Sequence, residues 1–229
     1  MKKLLLSLLT VAGIASVASA QTNEVKFGVK AGVTFPTWSV TGSDSDGDAK
    51  SNTSFYIGGT ADIPLGEMFT VQPGLLLIGK GVKQKDSFSE EGYFYTGTFK
   101  RSLMYIEVPV NLVANFAVGE GKIFIGAGPY YGIAISGNDK VMATVKADGT
   151  TTNTDTKQKV KFGKTNEDAD EEGIKRGDFG VNFLAGYQLS SGINIHAGYG
   201  LGLSNLSYRD AKEAKATNRV FSVGVGFSF

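Results

Sequence analysis

The chain has 229 residues, with 23 Lys+Arg against 22 Asp+Glu, no Cys and one His. The near-neutral balance argues against nucleic acid as a partner, since that role needs a basic excess to displace counterions from phosphates. The missing Cys rule out a disulfide scaffold, a Cys-ligated zinc site and a Cys nucleophile, and a lone His argues against His-built metal cages and most acid–base catalysis. Glycine is the outlier: 31 residues in a chain where a share of about 7% would be usual. With 15 Phe and 9 Tyr the chain is too aromatic to be a disordered glycine-rich tract. Something structural requires empty side-chain space.

Lys2-Lys3, an apolar run from Leu4 to Val17 and the small-x-small site Ala18-Ser19-Ala20 have the three-part layout of a secretory signal peptide. The run is short for a membrane-spanning helix, so the reading is a cleaved leader at 1–20, rather than a retained anchor, and a mature domain at 21–229. No Cys follows the cleavage site, which excludes a bacterial lipoprotein. Loss of Lys2 and Lys3 leaves 21 basic against 22 acidic groups, a net charge of −1.

From there the chain alternates with period two. The first strand places Val25, Phe27, Val29, Ala31, Val33 and Phe35 on one face, with Lys26, Gly28, Lys30, Gly32 and Thr34 between them. Side chains alternate faces along a strand, so one face is greasy and the other small or polar. A polar loop is expected near 39–52. Its Asp44-Ser45-Asp46-Gly47-Asp48 resembles a calcium loop, but the glycine and third acid are out of EF-hand order and the twelfth position is Phe55, not Glu; a solvated loop is expected. The second strand, 53–63, carries Phe55, Ile57, Ala61 and Ile63 on one face and ends at the turn Pro64-Leu65-Gly66-Glu67. The third, 68–82, carries Phe69, Val71, Leu75 and Leu77 and opens a polar loop near 83–98. The fourth has apolar residues at every even position from Met104 to Phe116 and closes at Val118-Gly119-Glu120-Gly121.

The fifth strand, 122–136, holds Ile123, Ile125, Ala127, Ile133 and Ile135. The longest loop, 137–176, balances eight basic against eight acidic residues; Glu167, Asp168, Asp170, Glu171 and Glu172 are offset by Lys157, Lys159, Lys161 and Lys164. Such segregation reads as solvated loop or external contact surface. Asp148-Gly149 inside it is a hairpin signal, which predicts strands running beyond the membrane. The sixth strand alternates from Phe179 to Leu189, turns at Ser190-Ser191-Gly192, and the seventh alternates from Ile193 to Leu203. After a loop near 207–218, the eighth alternates from Phe221 to Phe229. Pro73, Pro109 and Pro129 fall inside strands and predict bulges or kinks, with a slip of faces expected near Tyr130-Tyr131.

Eight strands of about the 9–11 residues that cross a hydrocarbon core, joined alternately by long loops and tight turns, predict an all-β, eight-stranded antiparallel up-and-down transmembrane barrel. A soluble lipocalin-like barrel has the same strand count, but its outer face would carry charges. Here the non-apolar face of the last two strands is mainly Gly, Ser, Asn and His, which suits a narrow lumen. The expected location is the bacterial outer membrane, with both termini periplasmic.

Tyr105-Ile106-Glu107-Val108-Pro109-Val110 resembles the hydrophobic-Glu-hydrophobic-Pro strand of the PorT-like outer-membrane β-barrel proteins common in Bacteroidetes, and the strand count is similar to that of small eight-stranded OmpA/OmpX-like barrels. Gly126-Ala127-Gly128-Pro129-Tyr130-Tyr131-Gly132 and 178–186 are similar to the strands that follow. The resemblance spans the mature chain and implies a barrel, not an activity. Phe227 and the terminal Phe229 are similar to the signal that outer-membrane assembly machinery reads.

The expected lumen set is Lys26, Lys30, Asp62, Gln72, Lys80, Glu107, Asn111, Asn115, Asp178, Asn182, Gln188, Asn194 and His196. Opposite charges in a narrow lumen must pair; Glu107 is expected to be the central acceptor, with Lys26 or Lys30 and Lys80 as its partners. The functional expectation is a non-enzymatic barrel with a plugged lumen, no cofactor and no metal, whose partners are outer-membrane lipid, the assembly machinery and a further envelope or extracellular protein. The alternative is a narrow channel for small ions. An enzymatic reading on His196 fails for want of a base–nucleophile pair around it.

Overall fold

The computed structural model describes residues 24–41, 49–147, 149–163, 173–207 and 215–229. The leader at 1–20, the acidic motif at 44–48 and the cluster from Glu167 to Glu172 lie outside them. The strands are β1 (Lys26–Thr41), β2 (Ala49–Lys50), β3 (Ser54–Pro64), β4 (Phe69–Glu90), β5 (Tyr93–Val118), β6 (Gly121–Ala147), β7 (Thr150–Lys159), β8 (Gly177–Gln188), β9 (Ile193–Gly202) and β10 (Lys215–Ser228). With β2, which pairs β4, and β7, which pairs β6, set aside, each strand pairs antiparallel with the next along the chain. The ring closes where β1 meets β10, in an unbroken register from Gly28↔Ser228 to Thr41↔Lys215. This is the expected eight-stranded up-and-down barrel.

The barrel is apolar outside and polar inside. Ile195 is 62% exposed and Phe27 56%, while Asp178 is 0% exposed and Lys80 and Glu107 are 2%. In water that arrangement would forfeit the hydrophobic driving force; against hydrocarbon it places each face in its preferred surroundings. The glycines of the inner face make room for inward aromatics. A Cβ on Gly32 would lie 2.6 Å from Cε1 of Tyr56, and one on Gly180 would lie 2.6 Å from Cε1 of Tyr130. Each inward ring lies over a neighbouring strand whose side chain is only hydrogen.

Three expectations are corrected. The segment 83–98 is not a loop: β4 runs to Glu90 and β5 starts at Tyr93, paired without interruption from Glu90↔Tyr93 downward to Leu76↔Glu107. Gly92, at φ 79°, supplies the left-handed turn position. The stretch lacks a one-sided apolar pattern because both its faces stand outside the hydrocarbon. Second, the prolines cause no register shift. Pro73↔Val110 and Leu76↔Glu107 keep one register, as do Pro109↔Tyr130 and Leu112↔Ala127. A missing N–H removes a ladder bond but adds no residue. Third, the slip is not at Tyr130-Tyr131, since Tyr130 is 2% exposed and Tyr131 52%. It falls between Met104 and Tyr105, opposite Ser136 and Ala134, so Ile135 is the extra residue. Beyond this bulge the odd positions of β6 turn inward, and Asp139 comes to face the interior beside Arg101. The hairpin expected around Asp148-Gly149 is present: β6 ends at Ala147 and β7 starts at Thr150.

Candidate functional site in the lumen

A charged clamp stands in the upper lumen. β4, β5 and β8 bring Lys80, Glu107 and Asp178 together: Lys80 Nζ lies 2.6 Å from Glu107 Oε2 and 2.8 Å from Asp178 Oδ2. The ammonium also stands over the rings of Tyr130, at 4.2 Å, and Tyr105, at 5.1 Å, so ring faces occupy the directions the carboxylates leave open. Asp178 gathers further donors: Asn218 Nδ2 at 2.8 Å, Tyr130 OH at 3.2 Å and Ser204 Oγ at 3.2 Å. Asn182 Nδ2 donates to Glu107 Oε1 at 3.2 Å. Two carboxylates around one ammonium leave a formal excess of one negative charge, and these neutral donors are what stabilise it without water.

The clamp continues toward the long-loop end. Trp38 Nε1 donates to Asn218 Oδ1 at 2.9 Å. Arg101 grips Asp139 through two bonds, Nε to Oδ1 at 2.7 Å and Nη2 to Oδ2 at 2.6 Å, and lies 5.6 Å from the Trp38 ring. An apolar layer of Ile78, Leu103, Tyr105, Ala134, Ile174 and Val220 fills the space between these polar groups.

On the short-turn side of the clamp lies a cavity of about 110 Å³, lined by Lys30, Asp62, Gln72, Asn111, Lys122 and His196 among others. Asp62 accepts from Gln72 Nε2 at 2.7 Å. His196 is held on both sides: Nδ1 lies 2.8 Å from Asn194 Oδ1, and Nε2 2.6 Å from the Tyr56 hydroxyl. With the amide oxygen accepting, Nδ1 carries the proton, and in the neutral ring Nε2 accepts from Tyr56.

Of the three lysines expected at Glu107, Lys80 reaches it. Lys30 lines the cavity, and Lys26 is exposed at the barrel's end. Neither has a carboxylate within 4 Å among the described residues. Asn111 and Asn182 point inward, as do Asn115, Gln188 and Asn194 at the cavity wall. Phe227 and Phe229 stand on the outer face at the seam, where Phe229 N donates to Phe27 O at 2.8 Å. Sequence reasoning missed Tyr56, Tyr105, Tyr130, Trp38, Arg101, Asp139 and Asn218. The inward tyrosines and Asn218 follow from carrying each strand's parity further along. Arg101–Asp139 has no sequence signal, because a bulge sets it.

Residues 19–208 match the family described as "Outer membrane protein beta-barrel domain". No curated protein matches the chain. Among solved structures, it is similar to the attachment invasion locus protein Ail of Yersinia pestis, at 16% identity over 90% of this chain and 100% of that one, TM-score 0.38. Neisserial surface protein A is 12% identical over 90% and 100%, TM-score 0.40. OprG of Pseudomonas aeruginosa is 12% identical over 89% and 95%, TM-score 0.45.

Proposed function

Because the chain belongs to the outer membrane protein β-barrel domain family, we propose that this outer-membrane barrel is a sealed, non-enzymatic one, acting through the hairpins at its long-loop end or as a structural element of the envelope. The observation that carries this reading is the Glu107–Lys80–Asp178 clamp. It spans the lumen between three strands with side chains 0–2% exposed, so a hydrated ion has no path past it without breaking two buried ion pairs. His196, held between Asn194 and Tyr56 inside the barrel, serves in this reading as a brace between β3 and β9. The resemblance of 105–110 and 126–132 supports a PorT-like branch. A cleaved leader at 1–20, periplasmic termini, and assembly through Phe227 and Phe229 complete the proposal.

The test is planar-bilayer recording. The refolded protein is expected to stay electrically silent, and a Lys80→Ala/Glu107→Ala double variant to conduct. Stable ohmic conductance from the unaltered protein would instead favour the second reading, a narrow ion path. The cavity holding Lys30 and Lys122 below the clamp supports that alternative as a vestibule.

A further inference from the structure

Beyond the hydrocarbon the barrel continues as a sheet of β2, β4, β5, β6 and β7, and its register aligns lysines. Lys50 pairs Lys83, Lys83 pairs Lys100, Lys100 pairs Lys140, and Lys140 pairs Lys157. Directly opposed residues share a face, so five ammonium groups form one cross-strand row with about 4.8 Å between strands. The face is the outer one: the flanking residues Arg101 and Asp139 turn inward to each other, and so Lys100 and Lys140 turn outward. Lys85, Lys146 and Lys159 share that face by parity with their paired neighbours. Asp155, 3.0 Å from Lys140, is the one acid these strands place there; Asp86 and Glu90 fall on the other face.

Like charges directly opposite one another destabilise a sheet. Four of the five lysines have no carboxylate within 4 Å, so among the described residues the row lacks its countercharge. Its position says where that charge comes from. On β5, Lys100 lies four residues beyond Met104, the end of the outward apolar run. For a strand tilted by about 40° that is about 10 Å above it, past the hydrocarbon and beside the polar groups of the leaflet. On β4, β5 and β6 the row also stands on the face that contacts lipid below. We infer that the Lys50–Lys83–Lys100–Lys140–Lys157 row binds phosphate groups on lipids of the outer leaflet, fixing the barrel's depth and holding a ring segment of phosphorylated lipid against β4–β7.

The test uses the refolded protein in neutral detergent, with a bisphosphorylated glycolipid and its phosphate-free counterpart as probes and native mass spectrometry as readout. The protein is expected to hold the phosphorylated probe at least tenfold more tightly. A K83Q/K100Q/K140Q/K157Q variant is expected to lose at least tenfold, given about fivefold per lysine near an anionic surface. The corresponding four-Arg variant is expected to stay within about threefold. Shifted gel mobility before boiling verifies that each variant is folded. Unchanged binding in the Gln variant, or equal binding of the two probes, would overturn the inference. So would displacement of the lipid by an equal concentration of a soluble phosphorylated oligosaccharide, which would assign the row to a soluble polyanion. The inference rests on the long hairpins lying at the cell surface. Labelling of Thr151→Cys in intact cells reads that separately: no label refutes the outer-leaflet assignment whatever the binding result.

Discussion

Replacing Lys80 by Met leaves the clamp's two carboxylates facing each other without their cation. Glu107 Oε2 and Asp178 Oδ2 lie 2.6 and 2.8 Å from Nζ, hence within about 5.4 Å of each other. Two unit charges at that separation repel by about 3 kcal/mol at an effective dielectric near 20. This agrees with the range of about 3–5 kcal/mol for removing one member of a buried ion pair. Trp38, the only Trp, is bonded through Asn218 to Asp178 and so reports on the clamp directly. Urea unfolding of the barrel in bilayers, followed by Trp38 emission and by gel mobility, is expected to show Lys80→Met less stable by about 3–5 kcal/mol. Adding Glu107→Gln to that variant removes the repulsion and is expected to recover about 2–3 kcal/mol. A Lys80→Met protein within about 1 kcal/mol of the parent, or a second substitution that restores nothing, would refute the assignment of the clamp as the buried electrostatic centre.

Three further outcomes are expected. Gly32→Val places atoms against the Val223 carbonyl and the Tyr56 ring and is expected to cost about 1–3 kcal/mol in the same unfolding assay, with Tyr56→Ala in the same chain recovering only part of it because the backbone contact stays. Arg101→Lys keeps the charge but cannot reproduce the two bonds to Asp139; a loss of about 1 kcal/mol is expected, with a shift in Trp38 emission because the guanidinium no longer lies near that ring. Phe229→Ala removes an outward ring that contacts Phe227 at the seam. It is expected to lower the amount of folded barrel recovered from outer membranes several-fold while leaving refolding in detergent unchanged; equal loss in both would make Phe229 a structural residue.

Period two by itself determines the architecture. Runs such as Val25 to Phe35 and Phe221 to Phe229 specify a strand, its faces and which face meets lipid, because a one-residue slip would turn the whole apolar set into the lumen. The same parity places Lys80, Glu107, Asp178, Asn182 and His196 inside. The glycines are legible as clearance on the inner face. Which rings they make room for, Tyr56 and Tyr130, is not, because the partner lies on a different strand.

Tertiary structure decides everything that depends on how strands are staggered. Alternation states a residue's face but not its height around the ring, so it leaves Lys26, Lys30 and Lys80 equal as partners of Glu107; the shear of the closed barrel selects Lys80. Nothing local to 104–105 or 135 announces a bulge, yet that one extra residue turns Asp139 inward to Arg101 and Lys140 outward. The row from Lys50 to Lys157 draws on five separate strands. Only the hydrogen-bonded register, set by closure of the sheet, brings those charges to one level. A chain read one residue at a time carries the faces of its strands; the order of side chains across them belongs to the ring.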